Sequence, residues 1–137
     1  MGLVREPTVS NVASVTDSIR LIGYWRNEEN PEYPDPHQLA DPDWPEDDEE
    51  RHLISGYLAA GTYTRHFMGL SPCRICGQRN GASEFTDGTY AWPEGLGHYV
   101  EIHGVRLPGE FVQHAKSRSD ALEVADFNLD WWLANTH

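Results

Sequence analysis

Apolar positions fall in short blocks whose period changes along the chain. Residues 1–18 are small and polar with no sustained period, which predicts a flexible lead-in. "IRLIGYW" (Ile19 to Trp25) is apolar and aromatic enough for a short strand or an extended segment anchored in a core. An acidic loop is expected over 27–50: residues 28–50 hold eleven carboxylates, five prolines and no basic group. Proline at that density disfavours both helix and central strand. Toward the end of the loop, Asp43 and Glu46 have capping-box spacing, Pro45 falls in a first turn and Glu46 to Glu49 place negative charge at the positive end of a dipole. A helix is therefore expected to start there. Leu53, Ile54, Tyr57 and Leu58 give it one buried face, and Gly61 stops it.

Beyond this helix, "TYTRHFM" (Thr62 to Met68) alternates and is rich in β-branched and aromatic residues, so it reads as a strand. "SEFTDGTYAW" reads as a hairpin turning at Asp87 and Gly88. Pro93 as a first helical residue and Gly104 as a stop frame a helix of about eleven residues carrying "HYVEIH". A short helix opens at Pro108. "SDALEVADFNLDWWLANTH" starts with Asp120 and Glu123 at capping-box spacing and puts Leu122, Ala125, Leu129, Trp132 and Leu133 on one stripe. That pattern predicts a closing helix docked on the core, with at least one of Trp131 and Trp132 buried.

Length and charge narrow the class. At 137 residues the chain suits one small domain, residues 19–137, for which a metal staple matters. No apolar run is long enough to span a membrane, the N-terminus lacks a signal core, and Glu6 stands where a myristoylation signal wants Ser or Thr. A cytoplasmic protein is expected. The net charge of −12 is uneven: residues 1–64 carry four basic and thirteen acidic groups, 65–118 carry six and five, and 119–137 carry none and four. Such acidity repels phosphate backbones at long range.

Both cysteines lie in "CRIC", a spacing that in a reducing compartment points to a metal or a redox pair rather than a disulfide framework. Two residues between the thiols let one tight turn aim both sulfurs at a point, and Gly77 relieves the backbone behind them. Cys73, Cys76, His98 and His103 then supply the two-Cys, two-His set that closes a tetrahedral zinc shell. Turn, hairpin and helix over residues 73–104 come in the order of a zinc finger. The expected fold is thus α+β: a small domain with a zinc-knuckle, hairpin and helix unit flanked by helices. Twenty-one residues separate Cys76 from His98, against about twelve in nucleic-acid-binding fingers. An ideal helix would also point His98 and His103 about 140° apart, which leaves His66 and His114 open as substitutes.

Four protein ligands leave no position for water, so the zinc is expected to be structural and the protein a non-enzymatic interaction or adaptor module with a protein partner. A zinc hydrolase using Glu84, Glu94 or His66 is the enzymatic alternative. "SPCRIC" matches half of the zinc-deaminase signature, but no His-x-Glu occurs in the chain to supply the other half. "DPDWPEDDEE" lacks the ligand order and central glycine of a calcium loop, and no phosphate loop or nucleophile elbow is present. A nucleic-acid face through Arg74, Arg79 and Arg106 is a third possibility, in the one segment that escapes the acidic excess. The block "SPCRICGQRNGASEFTDGTYAWPEGLGHYVEIHGVRLPGEFVQHA", with "GYW" upstream and "DWW" downstream, resembles a family of small uncharacterised bacterial proteins across positions 22 to 132. The resemblance implies that Cys73, Cys76, His98 and His103 belong to a recurring framework, and it carries no activity.

Overall fold

A computed structural model of the chain describes residues 18–66 and 71–136. The expected lead-in lies almost wholly outside the described residues, as do Phe67 and Met68 of the expected strand. Four strands form one sheet: β1 (Arg20–Leu21), β2 (Thr62–His66), β3 (Ser83–Thr86) and β4 (Tyr90–Pro93), in the order β1-β4-β3-β2. The last three run antiparallel, and β1 adds a short parallel edge, pairing Arg20 with Tyr90 and Leu21 with Ala91. The hairpin closes because Asp87 Oδ1 accepts the backbone N–H groups of Thr89 and Tyr90 at 2.9 and 2.8 Å, while Gly88 takes a φ of 95°.

Strand alternation puts Tyr90 and Trp92 on one face of the sheet. Helices α2 (Glu49–Ala59) and α4 (Gly109–Glu123) cover that face. The Trp92 indole donates to the Leu58 carbonyl at 2.9 Å, and Tyr90 meets Phe111 edge-on at 5.0 Å. Trp92, Phe111, Ile54, Leu58, Leu96, Val100 and Val105 are the largest fully buried side chains. Leu96 and Val100 belong to α3 (Leu96–His103), which packs against α2.

Three expectations are corrected. Helix α2 starts five residues late, at Glu49, because Asp48 rather than Asp43 is its cap: the Asp48 carboxylate accepts both Arg51 N–H (3.1 Å) and the indole N–H of Trp44 (2.9 Å). Trp44 is buried, so the cap is fixed by packing as well as by spacing. The acidic loop is not wholly irregular either. Pro36 at a first helical position and Asp35 as its cap allow one turn, α1 (Pro36–Leu39).

The third correction concerns the C-terminus, where no single docked helix forms. Helix α4 runs from Gly109 through the expected capping box to Glu123. The chain then turns, and Asn128 caps a separate six-residue helix, α5 (Leu129–Ala134), by accepting Trp131 N–H at 3.0 Å. The turn breaks the stripe, and every residue from 120 to 136 is exposed, both Trp131 and Trp132 among them. Among the described residues no helix is long and apolar enough to cross a membrane.

Candidate metal centre

The two cysteines sit on a tight turn held by its own backbone. Pro72 and Arg79 bridge, Cys73 N–H donates to Gln78 O and Gly77 N–H to Cys73 O, both at 2.8 Å. Gly77 takes a φ of 76°, the conformation this turn requires and that a side chain resists. Ile75 N–H donates to Cys73 Sγ, 3.4 Å away, which holds that sulfur in place over the turn. Cys73 is buried, Cys76 is exposed, and both thiols are free.

The histidines come from α3, which begins at Leu96 and spans eight residues rather than the expected eleven. Pro93 ends β4 instead of opening the helix, since its residue pairs with Glu84 in the sheet. Gly104 closes the helix in the left-handed conformation at φ 64°, with its N–H returning to Val100 O. His98 lies in the first turn and His103 in the last. Tyr99 falls between them on the helical wheel, and the two imidazoles reach past it from either side until their centroids are 5.1 Å apart.

The ligand atoms of Cys73, Cys76, His98 and His103 all lie within 4.8 Å of one another. Cys76 Sγ and His98 Nε2 are 3.4 Å apart. A tetrahedral site with bonds of about 2.0–2.3 Å has ligand-to-ligand edges of about 3.3–3.8 Å, so small adjustments would close this cluster on an ion. His103 Nε2 is buried without a hydrogen-bond partner, and such an orphaned lone pair is costly unless something binds it. Burial, then the neighbouring His98 and His37, lower the pKa of His103 and favour the neutral imidazole that ligates metals. The four residues can therefore hold a metal ion.

Tyr99 supports the sulfur side and is a residue the spacing of the motif did not single out. Its hydroxyl accepts Arg74 N–H at 2.7 Å and lies against Cys73; burial pushes its pKa up. Its place on the apolar face with Leu96, Val100 and His103 was the available signal. Arg51 is the second such residue. Although charged, it is buried and donates to the Val100 and Glu101 carbonyls at 3.0 Å each and to Trp44 O, tying the last turn of α3 to α2.

The other candidates go elsewhere. His114 is not in the cluster: its Nε2 meets Asp87 Oδ2 at 2.8 Å beside Tyr57. The side chain of His66 lies outside the described part of the structure. Glu84 is buried, with its carboxylate on the Tyr24 and Thr64 hydroxyls. Glu94 Oε1 accepts the backbone N–H groups of Ala82 and Ser83 at 3.0 and 3.2 Å. Arg106 stacks over Trp44 at 3.7 Å and pairs with Asp41 at 3.0 Å, while Arg74 donates to Arg26 O at 2.6 Å and Arg79 is exposed. A cleft of about 560 Å³ opens beside Tyr99 and Arg74, and none of the four cluster residues lines it. The chain matches no family model, no curated protein and no solved structure.

Proposed function

We propose that Cys73, Cys76, His98 and His103 hold a structural zinc ion, and that the chain is a non-enzymatic, zinc-stabilised interaction module acting on a protein partner in a reducing compartment. The observation that carries this is the convergence of two thiols and two imidazoles on one point, with a buried His103 nitrogen that has no other partner. Two sulfur and two nitrogen donors suit zinc among the common cellular metals, and a closed set of four supplies cross-linking rather than an open position for substrate. Placement outside the 560 Å³ cleft beside Tyr99 supports the same conclusion, because a reacting metal has to face its substrate. So does the engagement of Glu84 and Glu94, the carboxylates best placed in sequence to act as a base, in holding the sheet and the turn beside it.

Replacement of the metal by cobalt tests the closed site directly. The expected spectrum of the cobalt-loaded chain is that of a tetrahedral ion with two thiolate bands, unchanged when azide or cyanide is added. A five-coordinate spectrum, or one that shifts with such an exogenous ligand, would establish an open position and favour the hydrolytic alternative.

A further inference from the structure

Among the described residues, the C-terminal segment stands apart from both the core and the cysteine–histidine cluster. From Leu122 to Leu133, seven large apolar side chains are exposed, among them Phe127 at 89%, Trp131 at 61% and Trp132 at 56%. At these exposures they present area on the order of the roughly 800 Å² that one partner buries in a stable interface. Helix α5 is capped by Asn128 and closed by bonds from the Asn135 and Thr136 side chains to the Trp131 and Trp132 carbonyls. Yet it has only six residues and no buried one. Isolated helices shorter than about 12 residues are marginal in water, so packing against another surface must supply what this one lacks.

Charge selects the surface. Residues 119–137 carry Asp120, Glu123, Asp126 and Asp130 and no lysine or arginine. A second copy of the chain, at −12, would bring like charges together. A membrane with anionic headgroups repels the segment, and no basic residue anchors it there. Resting on the interaction function proposed above, we infer that residues 122–133, the end of α4, the turn after it and α5, form a docking segment for a protein whose apolar groove is bordered by lysine and arginine. Phe127, Trp131 and Trp132 are the anchors, and the four carboxylates set orientation and speed encounter.

Carbodiimide cross-linking of the full zinc-loaded chain in extract of its native cells, read by mass spectrometry, is the first half of the test. The expected products join Asp126 or Asp130 to lysines flanking an apolar segment of one other protein. The second half titrates that protein, purified, against wild type, Trp132→Asp and Asp126→Asn/Asp130→Asn. Affinity is expected to fall at least tenfold in the tryptophan variant and to weaken with salt and with the asparagine variant, while zinc content and melting temperature stay at wild type. Cross-links between two copies, or vesicle binding by wild type that Trp132→Asp abolishes, would overturn the assignment in favour of self-association or a membrane. A partner whose affinity ignores both variants would overturn it and leave the interaction function standing. Failure to cross-link any protein would overturn both.

Discussion

At the scale of single residues, the cluster of two cysteines and two histidines depends on groups outside it. Tyr99 takes Arg74 N–H and lies against Cys73, so it fixes the sulfur that the cysteine turn aims. Tyr99→Phe is expected to weaken zinc affinity about 10-fold to 100-fold, measured by competition with a chelating dye, with the fold retained. Asp87 does comparable work in the hairpin. Burial alone would raise its pKa, but hydrogen bonds from the Tyr57 hydroxyl, the Tyr90 and Thr89 N–H groups and His114 outweigh that and hold it below the ordinary 3.8. The groups facing it are Tyr57 from α2 and His114 from α4, with Arg118 beside Tyr57. A carboxyl with a lowered folded-state pKa stabilises fully above its unfolded value and less as pH falls through the folded one. Asp87→Asn is thus expected to cost about 2 kcal/mol near neutral pH, with the gap to wild type in urea melts narrowing below pH 4. A gap independent of pH would show that shape, not charge, matters there. The cysteines, histidines and Asp87-Gly88 were legible because each is local in sequence. Tyr99 and Arg51 were not, because their roles depend on contacts 25 and about 50 residues away.

Among the elements, alternation, turn and capping signals found β2, the hairpin, α2, α3 and the opening of α4, and they failed at boundaries: α4, expected short, runs fifteen residues. Helix α2 waited for Asp48 because Trp44, buried through tertiary packing, holds that carboxylate in place. Helix α3 starts after Pro93 because sheet pairing uses that residue first. The C-terminal stripe misled for a different reason: an apolar face in the sequence marks a surface that wants covering and does not say what covers it. Arg51 joins two elements, and its guanidinium satisfies the carbonyls at the end of α3 that carries His103. Arg51→Leu strands these acceptors and is expected to cost at least about 3 kcal/mol in urea unfolding. A loss under 1 kcal/mol would show that α3 is held by its apolar face alone.

On the scale of the whole molecule, a three-stranded antiparallel sheet with one parallel edge and two covering helices forms a small core, and the cysteine turn and α3 meet beside it. Composition and pattern suffice for the α+β class; convergence of His98 with His103 needed the fold, since an ideal helix sets them about 140° apart. The acidic excess divides between helix-start chemistry in residues 28–50, where Asp35 and Asp48 are caps, and the projecting tail. If the cluster staples this core, metal and folding are one equilibrium. The most direct measurement is zinc content together with thermal melting of wild type, chelator-treated wild type and Cys73→Ser. One zinc per wild-type chain is expected, with loss of zinc in the other two samples lowering the melting temperature by at least about 10 °C. A chain that surrenders its zinc and melts at the same temperature would contradict a structural metal at this site.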